Sequence, residues 1–181
     1  YKEQALAIRQ QLYGDTPHPN VAESLNNVGF AYQKLGDIGR SLFYFEQALT
    51  MHQKLYRTTP HPDLANSLNN VGRAYQNIGN HQQSTIYFEQ ALLTQRALHN
   101  NAPHLSIATS LKNVGLAYEK LGDVKKSITY KEQALEMYQV LYGKYAHLDV
   151  ANALNDVGGA YYKLGGAKRG LVYYEQALET Y

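Results

Sequence analysis

The stretch NVAESLNNVGFAYQKLG, residues 20–36, decides the architecture of this chain. Its apolar residues Val21, Leu25, Val28, Tyr32 and Leu35 step by 4, 3, 4 and 3, which winds them into a single stripe along an α-helix. Pro17 and Pro19 precede it, and either His18 or Asn20 can accept from the free amides of its first turn. Gly36 supplies the permissive residue expected just past a helix end. The stretch then returns as DLANSLNNVGRAYQNIG at 63–79, SIATSLKNVGLAYEKLG at 106–122 and DVANALNDVGGAYYKLG at 149–165, each copy 43 residues after the last. Glu-Gln-Ala-Leu keeps the same interval from Glu3, Glu46, Glu89, Glu132 and Glu175. The chain is therefore one unit repeated without insertion or deletion.

Each unit reads as two helices. The quoted stretch is helix A; helix B follows at about residues 38–56, with Leu42, Phe45, Ala48, Leu49 and Leu55 on one side. Short proline-bearing connections such as residues 57–62 force neighbouring helices antiparallel. No strand signal competes, so the chain is all-α. Gly29, Gly72, Gly115 and Gly158 lie in mid-helix, where glycine costs about 1 kcal/mol against alanine. A second helix pressing on that bare backbone is the physical reason to keep them.

Composition excludes several classes. Seventeen Lys+Arg against 15 Asp+Glu give a net charge of +2 with no basic run, so no footprint for nucleic-acid binding exists. The absence of cysteine removes disulfides, thiolate metal sites and a cysteine nucleophile. No apolar run approaches the roughly 18 residues of a membrane span. Of 17 tyrosines, 14 fall in four columns of the repeat: Tyr1/44/87/130/173, Tyr32/75/118/161, Tyr13/56/142 and Tyr138/181. The tyrosine excess thus reports architecture, and only Tyr145, Tyr162 and Tyr174 stand outside the columns.

Leu25, Val28-Gly29, Tyr32, Gly36, Phe45 and Ala48 resemble the tetratricopeptide repeat, with Ser41 where that family usually has Ala. The unit is longer than the usual repeat of about 34 residues. That lengthening, with the His-Pro-Asp-Leu-Ala string of the second unit, is similar to the long-helix repeats of kinesin light chains and nephrocystin-3-type proteins. Lys131 in place of Phe45, Gly170 in place of Ser41 and Asp156 in place of Asn27 depart from the pattern. The resemblance implies a right-handed α-solenoid of antiparallel helix pairs, nine helices in all, with A helices lining a concave groove and B helices the convex back. It also implies an intracellular, cytoplasmic scaffold. The expected organisation is a partial repeat at 1–14, helix B only, then repeats at 15–57, 58–100, 101–143 and 144–181. Tyr1, with no initiator Met, reads as a cut edge of a longer array.

Placing helix A at 100° per residue leaves positions 23, 26, 27, 30, 33 and 34 opposite the apolar stripe, and the same positions line the groove in the family. One column reads Asn27, Asn70, Asn113, Asp156, and its neighbour reads Asn26, Asn69, Lys112, Asn155. Asparagine is a poor mid-helix residue, and a carboxamide both donates and accepts. These amides either pair with the backbone of an extended peptide or bond to the next repeat and fix its stacking. Columns that vary between copies would discriminate: Phe30/Arg73/Leu116/Gly159, Gln33/Gln76/Glu119/Tyr162, Glu23/Asn66/Thr109/Asn152 and Lys34/Asn77/Lys120/Lys163. With Arg73, Lys34, Lys112, Lys120 and Lys163 on this face, the expected partner is a protein segment with acidic residues and an apolar anchor docking near Phe30 and Leu116.

Columnar His18, His61, His104 and His147 are too far apart for one metal: successive copies lie about 10 Å or more apart, against zinc ligands at about 2.1 Å. They read as loop-packing or capping groups, and His52, His81 and His99 as singletons. No phosphate loop, metal pair or nucleophile arrangement is legible, so neither an enzyme nor a cofactor site is expected. Glu46-Gln47 and its copies read as an exposed face with local charge-assisted bonds. The alternative function is a structural spacer that associates end to end, because neither end supplies a polar capping face.

Overall fold

The computed structural model describes residues 1–143 and 145–180; Lys144, where the last repeat is expected to start, and Tyr181, read from its column as part of a B helix, lie outside the described residues. The described chain is all helical and forms two compact units, Tyr1–Thr94 and Gln95–Tyr181. The first holds α1 (Lys2–Tyr13), α2 (Pro19–Lys34), α3 (Ile38–Tyr56), α4 (Pro62–Asn77) and most of α5 (His81–Leu98). The second holds the end of α5 with α6 (Leu105–Leu121), α7 (Val124–Tyr142), α8 (Leu148–Lys163) and α9 (Ala167–Thr180). Even-numbered helices carry the A sequence and odd-numbered ones the B sequence.

Within each unit, helices adjacent in sequence pack together. In the first, Leu6, Val21, Leu25, Val28 and Ala48 form one buried cluster, and Phe45, Leu49, Leu68, Val71, Ala74 and Ala91 form a second. Every cluster therefore draws on more than one repeat, as stacking demands. In the second unit Ile107, Leu111, Val114, Leu135, Val150, Leu154 and Val157 are buried in the same way. Leu35 departs from the expected stripe: it is the C-cap of α2 and is 79% exposed, because the helix has ended before the stripe can carry it inward.

The mid-helix glycines mark the tightest contact. A Cβ on Gly29 would stand 2.7 Å from the Phe45 ring, and one on Gly72 3.0 Å from the Phe88 ring. On Gly115 it would meet Lys131 Cγ at 2.9 Å, and on Gly158 the carbonyl oxygen of Gly170 at 3.0 Å. Side chains are thus excluded at this point of helix A because helix B of the same repeat already fills it. The facing serines Ser41, Ser84 and Ser127 are buried and their hydroxyls lack hydrogen-bond partners, so they are kept small at some cost. At the fourth pair even serine is too large, since a Cβ on Gly170 would lie 2.8 Å from the Gly158 carbonyl.

Helix ends follow one rule per corner. His18, His61, His104 and His147 are the N-caps of α2, α4, α6 and α8, each accepting at Nδ1 from the amide two residues on at 3.1–3.2 Å. This settles the choice between columns 18 and 20 for histidine. The glycines after the A helices, Gly36, Gly79, Gly122 and Gly165, take φ of 80–92°. The B helices α1, α3 and α7 end on Gly14, Arg57 and Gly143 at φ 57°, 52° and 63° with ψ near −109° to −141°. Of these three, Arg57 alone bears a side chain, at a cost of about 1–3 kcal/mol. Arg57→Gly is expected to raise stability by about 1 kcal/mol, read as a higher urea midpoint at unchanged slope. Ser84→Ala, which removes an unpaired buried hydroxyl, is expected to raise it by a similar about 1 kcal/mol. A fall in midpoint in either case would contradict the account of that position.

Candidate functional site

The face opposite the apolar stripe is built from α2 and α4 in the first unit. Between them lies a depression of about 580 Å³ that brings together Asn26, Asn27, Phe30, Asn69, Asn70 and Arg73, six of the residues expected from the sequence. Asn20, Glu23, Asp63, Asn66 and Pro19 also line it, together with His52 from α3. Lys34 lies on the same helix as Phe30, exposed and outside the depression.

The two readings of the asparagines meet here. Asn70 is buried and donates through Nδ2 to Asn26 Oδ1 at 3.3 Å, a bond from one repeat to the next. That uses one donor and one acceptor of carboxamides that have two of each, so stacking and ligand contact are compatible. Asn27 is exposed, and its backbone carbonyl accepts from Lys2 Nζ at 3.2 Å. Phe30 is 38% exposed, its ring edge-on to Phe45 at 5.0 Å between centroids. An aromatic held in that way presents a face without being free to swing.

In the second unit α6 and α8 carry the equivalent face. Lys112 pairs with Asp156 at 3.7 Å, in the register that joins Asn26 to Asn70. Glu119 receives both Lys131 and Lys163. Lys131, 6% exposed, stands at the Phe45 position of its repeat and turns its ammonium to the groove carboxylate. Lys131 and Glu119 are thus one substitution in two places, because a buried ammonium without its carboxylate would be strongly unfavourable. Burial by itself would raise the Glu119 carboxyl, but hydrogen bonds from the two lysines outweigh it and hold the carboxyl below its ordinary value. Two of the five cations expected to attract an acidic ligand, Lys112 and Lys163, are therefore matched internally. Lys120 and Tyr162 are exposed, Leu116 is 38% exposed, and Asn113 and Asn155 are half-buried.

Three of the repeated glutamates, Glu3, Glu46 and Glu132, bond across repeats. Tyr32 donates to Glu3 at 2.6 Å, Tyr75 to Glu46 at 2.7 Å and Tyr161 to Glu132 at 2.8 Å, each from a helix A to the preceding repeat's helix B. Their rings stack on Tyr44, Tyr87 and Tyr173 at 5.5–5.6 Å. The bond to Glu46, with burial, pushes the Tyr75 phenol up to about 12.

His52 and His99 are not singletons. His52 is 4% exposed with Nδ1 2.8 Å from Ser67 Oγ. Ser67 is fully buried, so the pair is no accessible nucleophile and base. His99 occupies the column of Tyr13, Tyr56 and Tyr142. Where those tyrosines stack on their capping histidines at 3.5–3.7 Å, His99 stacks on His104 at 3.5 Å. Its Nε2 lies 3.2 Å from Ser106 Oγ. The repeat alignment carried this signal, since 99 is 43 beyond 56. Among the described residues no group of three or more metal-capable side chains gathers, and no helix is long and apolar enough to cross a membrane.

Models of the tetratricopeptide repeat match residues 1–54 and 106–181, and a second model of the same description matches 64–104. The chain belongs to the tetratricopeptide repeat family. Nearly identical TPR-like repeats assigned to a kinesin light chain of Podospora anserina share this fold at TM-score 0.85 and 24% identity, over 99% of this chain and 83% of that one. BtubC (BKLC) from P. vanneervenii gives 0.87 at 19% identity, over 99% and 70%. RapI in its apo form gives 0.79 at 18%, over 96% and 45%. A comparison with curated protein sequences found no match. This tetratricopeptide array thus shares the kinesin light chain-like fold, and its family places it among protein-interaction scaffolds.

The array carries an acid-sensitive corner. Burial, then the neighbouring His104, lowers the affinity of His99 for a proton, and burial does the same at His52. On acidification the unfolded chain takes up these protons first, near the ordinary 6.5. Their contribution to stability is complete above that pH and is lost as pH falls below it. His99→Tyr, which restores the ring of the other corners, is expected to shrink the drop in urea midpoint between about pH 7.5 and 5.5. Equal drops in variant and wild type would rule this out.

Proposed function

We propose that this array binds an extended segment of a partner protein along the faces of its A helices. The observation that carries the reading is the depression between α2 and α4, where six asparagines, Phe30 and Arg73 line about 580 Å³. Amides that donate and accept suit a peptide main chain, whose groups alternate in the same way. Phe30 and Leu116 offer apolar contact in their respective units. Arg73, Lys34 and Lys120, three exposed cations of this face, favour acidic side chains in the segment. With Lys112 and Lys163 already paired, the charge preference is moderate and carried by those three.

A second reading is self-association. On α1, Ile8 and Leu12 are 64% and 71% exposed, and on α9, Leu171 and Leu178 are 55% and 75% exposed. Mass that rises with concentration in light scattering, and falls on Ile8→Lys with Leu178→Lys, would favour that reading.

Asn27→Ala combined with Asn70→Ala is expected to weaken binding of acidic, aromatic-bearing peptides on an array about ten-fold or more, since several bonds of about 1 kcal/mol are lost together. Replacing the acidic residues of a bound peptide by lysine should weaken it further at low salt than at high. Loss of stability with binding untouched would assign the asparagines to stacking alone.

A further inference from the structure

The depression in the first unit has one wall group that belongs to neither α2 nor α4. His52, on the B helix α3, passes between the two A helices and forms part of the lining while remaining 4% exposed. Its Nδ1 is engaged by Ser67 Oγ at 2.8 Å. The Ser67 hydroxyl is fully buried and, in the tautomer of His52 that leaves Nδ1 unprotonated, donates to that nitrogen. A neutral ring that accepts at Nδ1 carries its own hydrogen on Nε2. We propose that His52 is a specificity-determining residue of this groove, presenting Nε2–H to a carbonyl or carboxylate oxygen of the bound segment. The proposal rests on the peptide-binding reading above and adds a contact from the helix layer behind the groove.

The repeat itself supports the assignment. Position 52 recurs as Arg9, Gln95, Tyr138 and Tyr181, a column in which every copy is large and none is aliphatic. Arg9 donates through Nη1 to the Asn20 carbonyl at 2.7 Å, to Glu23 at 2.9 Å and to Ser24 Oγ at 2.9 Å, all on the A helix that follows. Gln95 accepts from Ser106 Oγ at 2.8 Å, again at the start of the next A helix. Tyr138, 4% exposed, lies beside Lys112 and Asp156, where no cavity of solvent size remains. The same column thus closes the floor with a phenol in one place and leaves it open over an imidazole in another. His52 is the smaller ring, and its depression is the roomy one.

The surroundings keep the ring neutral. Burial disfavours a second proton; Asp63 pulls the other way with less effect than burial, and His61 adds a smaller opposition. Tyr56 stacks on the ring at 5.7 Å, and Glu23 and Arg73 lie on the depression's walls. A neutral N–H donor selects an oxygen acceptor without demanding a full negative charge, which the asparagine neighbours do not demand either.

The test uses twelve-residue peptides selected from a displayed library on the whole chain and counter-selected on Asn27→Ala/Asn70→Ala. His52→Phe with Ser67→Ala keeps a ring and leaves no buried hydroxyl orphaned; it is expected to weaken those peptides about five- to ten-fold. His52→Gln, which can still donate, should recover most of that loss. In the wild type, peptide addition should move the His52 Nε2 nitrogen resonance, which a purely structural role would leave in place. Unchanged affinity in the Phe/Ala variant, or an unmoved Nε2 resonance on saturation, overturns the proposal while the groove reading stands. Failure to select any counter-selectable peptide removes the groove reading and this proposal with it.

Discussion

The bare backbone at Gly29 beneath the Phe45 ring is the contact on which the rest of each repeat depends. It brings helices A and B closer than any side chain on that turn would permit, and the register of both helices follows from it. Small facing residues are then required, which is why Ser41, Ser84 and Ser127 persist with unpaired hydroxyls and why the fourth repeat goes to Gly170. The same contact makes Lys131 intelligible. A lysine stem fills the space over Gly115 much as the edge of a ring does, provided its ammonium finds a carboxylate, and Glu119 stands on the groove face to receive it.

Once the pair is fixed, successive repeats are tied at both ends of the helices. At one end a tyrosine of helix A donates to the glutamate of the preceding helix B, and its ring stacks on the tyrosine of its own helix B. At the other, a B-helix ring stacks on the capping histidine of the next helix A, while the residue two beyond that histidine bonds to the ring's polar edge, as Asp63 does to Tyr56 at 3.0 Å. These ties absorb most of the tyrosines and the capping histidines. Outside these ties stand the outward face of helix A and, lining the depression from the B layer, His52.

The electrostatic character of that face is set by pairing more than by composition. Counting lysines along the A helices gives a basic groove, but Asp156 and Glu119 accept three ammonium groups between them, and Arg9 is held by Glu23. Partnership of this kind depends on which residue of one repeat faces which of the next, a spacing of 44 along the chain for Asn26 with Asn70 and for Glu119 with Lys163. No single-helix projection contains it.

The sequence by itself determined the helices, their boundaries to within a residue, the unit that repeats and the family it belongs to. These are local or periodic properties: apolar spacing within one helix, a proline before it, a glycine after it, and copies that can be compared with each other. It also placed Asn26, Asn27, Phe30, Asn69, Asn70 and Arg73 on one face, because a helix of known phase has only one side opposite its core stripe. The tertiary structure alone decided that histidine is the cap, that Glu46 reaches Tyr75 and not its own helix, that Lys131 and His52 come through from the B layer, and that Lys112 is already paired. Those outcomes depend on distances between chain segments tens of residues apart, which packing sets and periodicity within one helix cannot.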